Sequence, residues 1–127
     1  MPLTNAATNL ISSLILGAGG TQFNSANAYV GVGDSSTVFS ASQTDLQSLD
    51  GNKYRQIVDG GFPTITGNVL TFQITVSTAN ANFAWNEWGV FNAAIGGTML
   101  NRAVQTLGTK ASTQSWQFTV TITVQNS

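Results

Sequence analysis

Residues 68–77 read NVLTFQITVS and residues 114–124 read QSWQFTVTITV. In both segments apolar and polar residues alternate one by one. Leu70, Phe72, Ile74 and Val76 fall on one side of the first segment, and Thr71, Gln73 and Thr75 on the other. Trp116, Phe118, Val120, Ile122 and Val124 do the same against Ser115, Gln117, Thr119, Thr121 and Thr123. Side chains alternate across a strand, so this period of two predicts antiparallel strands with one buried face and one wet face. The wet face is almost entirely Thr and Gln. Threonine favours strands, but an exposed strand without charge invites pairing unless something covers it.

Further strands follow from the same pattern. Asn27–Gly33 (NAYVGVG) alternates, and Lys53–Asp59 (KYRQIVD) is a candidate strand carrying two of the four basic residues. NFAWNEWGVFN (82–92), a small-residue turn and TMLNRAVQ (98–105) predict a hairpin. A turn centred between Ala94 and Ile95 places Glu87 opposite Arg102, Trp85 opposite Val104 and Val90 opposite Met99. It also puts Trp85 and Trp88 on opposite faces. Gly60-Gly61-Phe62-Pro63 reads as a break. Ahead of the strands, residues 4–16 predict a short helix: Thr4 is a candidate N-cap, Ala7, Ile11 and Ile15 form one row, Leu10 and Leu14 an adjacent one, and Gly17 ends it. The expected architecture is mainly β: a single domain over 1–127, a small antiparallel β-sandwich or β-barrel of five or six strands over about 27–125, with one N-terminal helix.

Composition narrows the chemistry. The chain of 127 residues has four Lys+Arg and five Asp+Glu, 7% charged, against about 25% in an average domain. It contains no His and no Cys, which excludes disulfides, thiolate or imidazole metal sites, and Ser-His-Asp or Cys-His nucleophiles. A net charge of −1 lacks the basic footprint of a nucleic-acid binder. No apolar run approaches the roughly 20 residues that span a bilayer. The opening MPLTNAATNL has no basic region and does not read as a signal peptide.

Few residues offer chemistry. Asp34, Asp45 and Asp50 lie in a long Ser/Thr-rich connection over 33–52, a length that tends to be functional or disordered. Asp34-Ser35-Ser36-Thr37 has oxygens but not calcium-loop spacing. Gly31-Val32-Gly33 lacks the third glycine of a dinucleotide loop. Glu87, between Trp85 and Trp88, is the one acid among aromatics. It reads as a structural ion pair with Arg102 rather than as a general acid. Trp88 or Tyr54, if exposed, would suit a glycan. No catalytic residue, metal ligand or cofactor is expected.

The stretch NFAWNEWGVFNAAIGGTMLNRAVQTLGTK (82–110) resembles virion structural proteins of tailed bacteriophages, in which an E-x-G-[LV]-F-[ND] strand, a glycine turn and a return strand ending in Arg recur. Leu3-Thr4-Asn5 before a helix, the strand Tyr29-Val30-Gly31-Val32-Gly33-Asp34, Thr44-Asp45-Leu46, Arg55, and Lys110 followed by Trp116–Val124 extend the resemblance over nearly the whole chain. It implies a non-enzymatic virion component assembled in the host cytoplasm. Capsid decoration, bridging and cementing capsid subunits, is the leading reading, and a tail-fibre or baseplate-associated protein the alternative. Implied partners are the major capsid protein or tail proteins and further copies of the chain, with a trimer suggested by analogy with three-fold axes; no nucleic acid or membrane is expected. Interfaces of this kind are depleted in charge at their cores. The expected contact surfaces are Pro2–Leu16, Asp34–Gln47 and Gln114–Thr123, with Leu3, Leu10, Leu14, Phe39, Leu46, Trp88, Gln117, Thr119 and Thr121 as candidate interface residues.

Overall fold

A computed structural model of the chain describes residues 3–125. These residues contain one α-helix, α1 (Asn5–Leu16), a short 3-10 turn (Asp50–Asn52) and seven strands: β1 (Tyr29–Gly33), β2 (Lys53–Ile57), β3 (Thr64–Thr66), β4 (Val69–Val76), β5 (Ala84–Phe91), β6 (Met99–Thr109) and β7 (Trp116–Thr123). They form two antiparallel sheets, β2-β1-β5-β6 and β3-β4-β7. The class is mainly β, as the alternation requires. β3 was not expected: three residues after Phe62-Pro63 are too short to show a period.

The two long alternating strands pair with each other. β4 and β7 run in unbroken register, Leu70 against Ile122 and Phe72 against Val120. Their apolar faces meet the inner face of the first sheet in one core containing Val30, Val32, Phe72, Ile74, Trp85, Val90, Val120 and Ile122. Trp85 packs edge-on against Trp116 and Phe118, with centroids 4.9 and 5.7 Å apart, a geometry that aromatic quadrupoles favour.

The β5–β6 hairpin forms, but not in the expected register. Glu87 faces Val104, Gly89 faces Arg102, Val90 faces Asn101 and Trp85 faces Gly108. The turn centres on Ile95, half a residue later than expected, with Phe91 against Met99, and register shifts between Val90 and Phe91 and between Trp85 and Glu87 add to the offset. A bulge inserts one residue and reverses the alternation. Trp85 and Trp88 therefore share the inner face, and Trp88 also meets Phe118, at 6.0 Å. Spacing alone had put them on opposite faces.

α1 begins as expected. Thr4 Oγ1 accepts from the Ala7 amide at 3.1 Å, and Gly17 ends the helix in the left-handed region at φ 67°, where glycine carries no Cβ penalty. The same Thr4 hydroxyl donates to the Met99 carbonyl at 2.5 Å, and the Thr4 amide donates to the Leu100 carbonyl at 3.2 Å. With the Leu3–Asn101 bridge, one residue both starts the helix and ties it to the edge of β6.

Candidate functional site

The outer face of the first sheet is where charge collects. Reading across β2, β1, β5 and β6, the register sets Lys53, Gly33, Glu87 and Val104 in one row and Arg55, Gly31, Gly89 and Arg102 in the next. The segment joining β1 to β2, residues 34–52, folds back over these rows. Leu46 packs with Phe91, Met99 and Tyr29 in a second, smaller core.

Glu87 fixes this cover. Its carboxylate accepts from Arg102 Nε at 2.6 Å, from the Gln47 amide at 2.9 Å and from the Ser48 amide at 3.0 Å. The Ser48 hydroxyl donates to it as well. Arg102 Nη1 donates to the Thr37 carbonyl at 2.8 Å and reaches Gln43 Oε1 at 3.3 Å. Both charged side chains are 0% exposed. The anticipated ion pair is present, but as a diagonal pair fully removed from water and shared with three parts of the loop. Burying charge is costly unless it is paired and hydrogen-bonded; here the carboxylate has four donors.

The glycines explain how the side chains fit. A Cβ on Gly33 would run into the Glu87 carboxylate and Ser48 Oγ, and one on Gly31 would come within 2.7 Å of the Phe91 ring. Gly31-Val32-Gly33 therefore serves close packing under the cover loop.

A second polar cluster lies beside the first. Asp45 meets Lys53 Nζ at 3.0 Å and Arg55 Nη2 at 3.2 Å. Arg55 also donates to the Ala93 and Gly96 carbonyls, both at 2.9 Å, and its guanidinium stacks 3.6 Å above the Phe91 ring. Burial acts to raise the Asp45 pKa. Hydrogen bonds from Lys53, the Leu46 amide and Arg55, with the Lys53 charge, outweigh it and hold the carboxyl below its ordinary value. Asp45, Lys53, Tyr54 and Ile95 help line an open cleft of about 350 Å³. Among the described residues no three acidic, His or Cys side chains come together to hold a metal ion. Asp34, in the weak calcium pattern, instead accepts from Asn52 at 2.8 Å. Lys110 is buried and has no carboxylate partner among the described residues; its ammonium donates to the Asn80 carbonyl and Asn82 Oδ1 at 2.9 and 2.8 Å.

The candidate interface residues divide. Gln117, Thr119 and Thr121 are exposed on the outer face of the second sheet, as expected. Phe39 is half-buried in the cover loop. Leu10 and Leu14 are half-buried beneath Gly20. Leu3, also half-buried, lines an apolar groove of about 900 Å³ with Ile11, Phe23, Ile65 and Leu70. Pro2, the first residue of the expected N-terminal contact segment, lies outside the described residues. Two assignments are corrected. Leu46 is 3% exposed because it fills the second core, and Trp88 is 9% exposed because the bulge turns it into the sandwich. Neither can line a contact surface of the folded chain, and Trp88 cannot stack on a sugar. Tyr54 is half-buried and bonds Gln56 at 2.6 Å. The residues missed by sequence reading are Ser48 and Gln47; a buried acid demands donors, but nothing in a Ser/Thr-rich loop marks which will supply them.

The second sheet presents the opposite character. Register places Thr64, Thr71 and Thr121 in one row of its outer face, Gln73 and Thr119 in another, and Thr75 and Gln117 in a third. No strand of that sheet carries a charged residue. Asp59 touches its margin, accepting from Gln73 and Thr75 at 3.2 and 2.8 Å. No helix among the described residues is long and apolar enough to cross a membrane. No protein-family model matches the chain, and no curated protein matches it either.

Proposed function

We propose that this chain is a non-enzymatic structural component of a tailed-bacteriophage virion, a capsid decoration protein that bridges neighbouring capsid subunits. The observation that carries the reading is the Thr/Gln outer face of β3-β4-β7, whose strands carry no charged residue. Such a face can be buried against protein with only Asp59, bonded to Gln73 and Thr75 at its margin, to desolvate, and its hydroxyls and amides can hydrogen-bond across the contact. The covered first sheet supports the same reading. Its charges are spent on holding a loop in place, so Glu87 and Arg102 are structural groups.

The test is to locate the protein on virions and to assemble particles without it. Antibody label distributed over the head, with loss of packaged DNA on heating that complete particles survive, is the expected result. Label confined to the tail, or normal heads with a missing tail tip, overturns decoration in favour of a tail-fibre or baseplate role.

A further inference from the structure

A sandwich of two open sheets has four edge strands, and three of them here are protected. β2 carries Lys53 and Arg55. β3 is three residues long and follows Pro63. β6 is capped at its start by Leu3 and Thr4, carries Arg102, and contains Gly108 at φ 114°. Short edges, basic residues, covering segments and irregular backbone are the devices by which proteins prevent edge-to-edge pairing. β7 has none of them. It is eight residues long, has no charge, Pro or Gly, and among the described residues pairs with β4 alone.

The backbone phase of β7 can be assigned. The Val124 amide donates to the Asn68 carbonyl at 2.9 Å, and the β4–β7 register is unbroken. In an antiparallel ladder the groups that point to one neighbour alternate with those that point away. Trp116, Phe118, Val120 and Ile122 therefore bond β4, while Gln117, Thr119, Thr121 and Thr123 turn their N–H and C=O groups to the open edge.

We propose that β7 pairs antiparallel with β7 of a second copy of this chain about a two-fold axis at Val120, joining the second sheets of two molecules into one. The four outward residues are centred on residue 120. Full overlap thus sets Gln117 against Thr123 and Thr119 against Thr121 of the copy, each pair exchanging both hydrogen bonds. The pairing is isologous and closes on itself. Threonine pairs then lie across the junction on the outer face, where they stabilise antiparallel sheets. On the inner side, half-buried Trp116 and Phe118 lie along the same edge and gain cover. A second copy is favoured over a different partner because the strand is its own complement in length, neutrality and hydrogen-bond phase. The inference rests on β7 alone and stands apart from the virion reading.

The test uses the purified full chain. Sedimentation from micromolar to millimolar protein is expected to show a dimer. The Gln117, Thr119, Thr121 and Thr123 amides should exchange at least about tenfold more slowly in the dimer. Thr119→Pro removes an outward N–H and spares the β4 ladder, and Thr121→Lys places a charge on the edge; each should give a monomer, whereas Thr66→Lys on β3 should leave the dimer intact. A wild-type monomer throughout the range overturns the proposal. So does any oligomer, a trimer or a complex with another protein included, in which those four amides stay unprotected. The wild-type exchange decides the matter even if the edge variants fail to fold.

Discussion

Glu87 and Arg102 meet at 2.6 Å with neither side chain exposed, yet they are not partners on the ladder: Glu87 faces Val104 and Arg102 faces Gly89. The guanidinium reaches diagonally because Gly89 has no side chain beside it. Diagonal cross-strand neighbours lie about 7–8 Å apart at Cα, within reach of an arginine. The pair is thereby placed under residues 34–52, where it can bind their amides and carbonyls.

Breaking this pair from one side strands a buried charge. Glu87→Gln and Arg102→Met are each expected to cost about 3–5 kcal/mol in urea unfolding. The double variant should cost less than the sum, since neither charge is then left alone. Limited proteolysis should find the 34–52 segment cut faster in each single variant. Additive effects, or an unaltered cleavage pattern, would show that the pair does not hold the loop.

Gly33→Ala tests the same junction without touching charge. The added methyl has only the Glu87 carboxylate and Ser48 Oγ to displace, and both are held by other bonds. A loss of about 1–3 kcal/mol is expected, as for overpacking elsewhere. Gly51→Ala, where a Cβ meets nothing, is the matched control.

Asp45 gives a pH dependence with a definite sign. Its pKa in the folded chain lies below the ordinary 3.8, so the unfolded chain binds the proton more readily. The ionised carboxylate stabilises the fold above the unfolded value, and that contribution is lost as pH falls through the folded one. The stability difference between wild type and Asp45→Asn should be constant above about pH 5 and shrink at more acid pH. A difference that grows on acidification would contradict the Lys53 and Arg55 pairing.

Thr4→Ala removes a helix cap and a tether together. Cap loss alone costs about 0.5–2 kcal/mol, and the hydroxyl bond to Met99 is lost as well. Thr4→Ser, which retains both bonds, should recover most of the stability in thermal unfolding. If alanine and serine behave alike, the cap is not what fixes α1.

Much of the fold was legible because its longest strands keep a strict period. β4, β7 and α1 lie where alternation, a threonine cap and a terminal glycine put them. The β5–β6 register was not legible. The turn centres half a residue later than counted, and bulges add residues without changing the local composition, so Trp85, Val90 and Arg102 were misplaced and Trp88 was assigned to the wrong face. The ion pair is present although the register that set Glu87 opposite Arg102 is not, because an arginine reaches its diagonal neighbour. Its burial was not legible, because that depends on Leu46, Gln47 and Ser48 returning over the sheet from about 40 residues away in the chain. Leu46 looked like a surface leucine in a polar loop for the same reason.

All the charged side chains except Asp59 and Lys110 belong to the first sheet and its cover. The opposite side of the molecule therefore projects almost no field. Ions in solution weaken attraction between exposed charges over about 10 Å at 0.1 M salt, but they have little to act on at a surface of hydroxyls and amides. The contact proposed for that side should persist from dilute buffer to brine, and its strength should follow temperature and contact area far more than ionic strength.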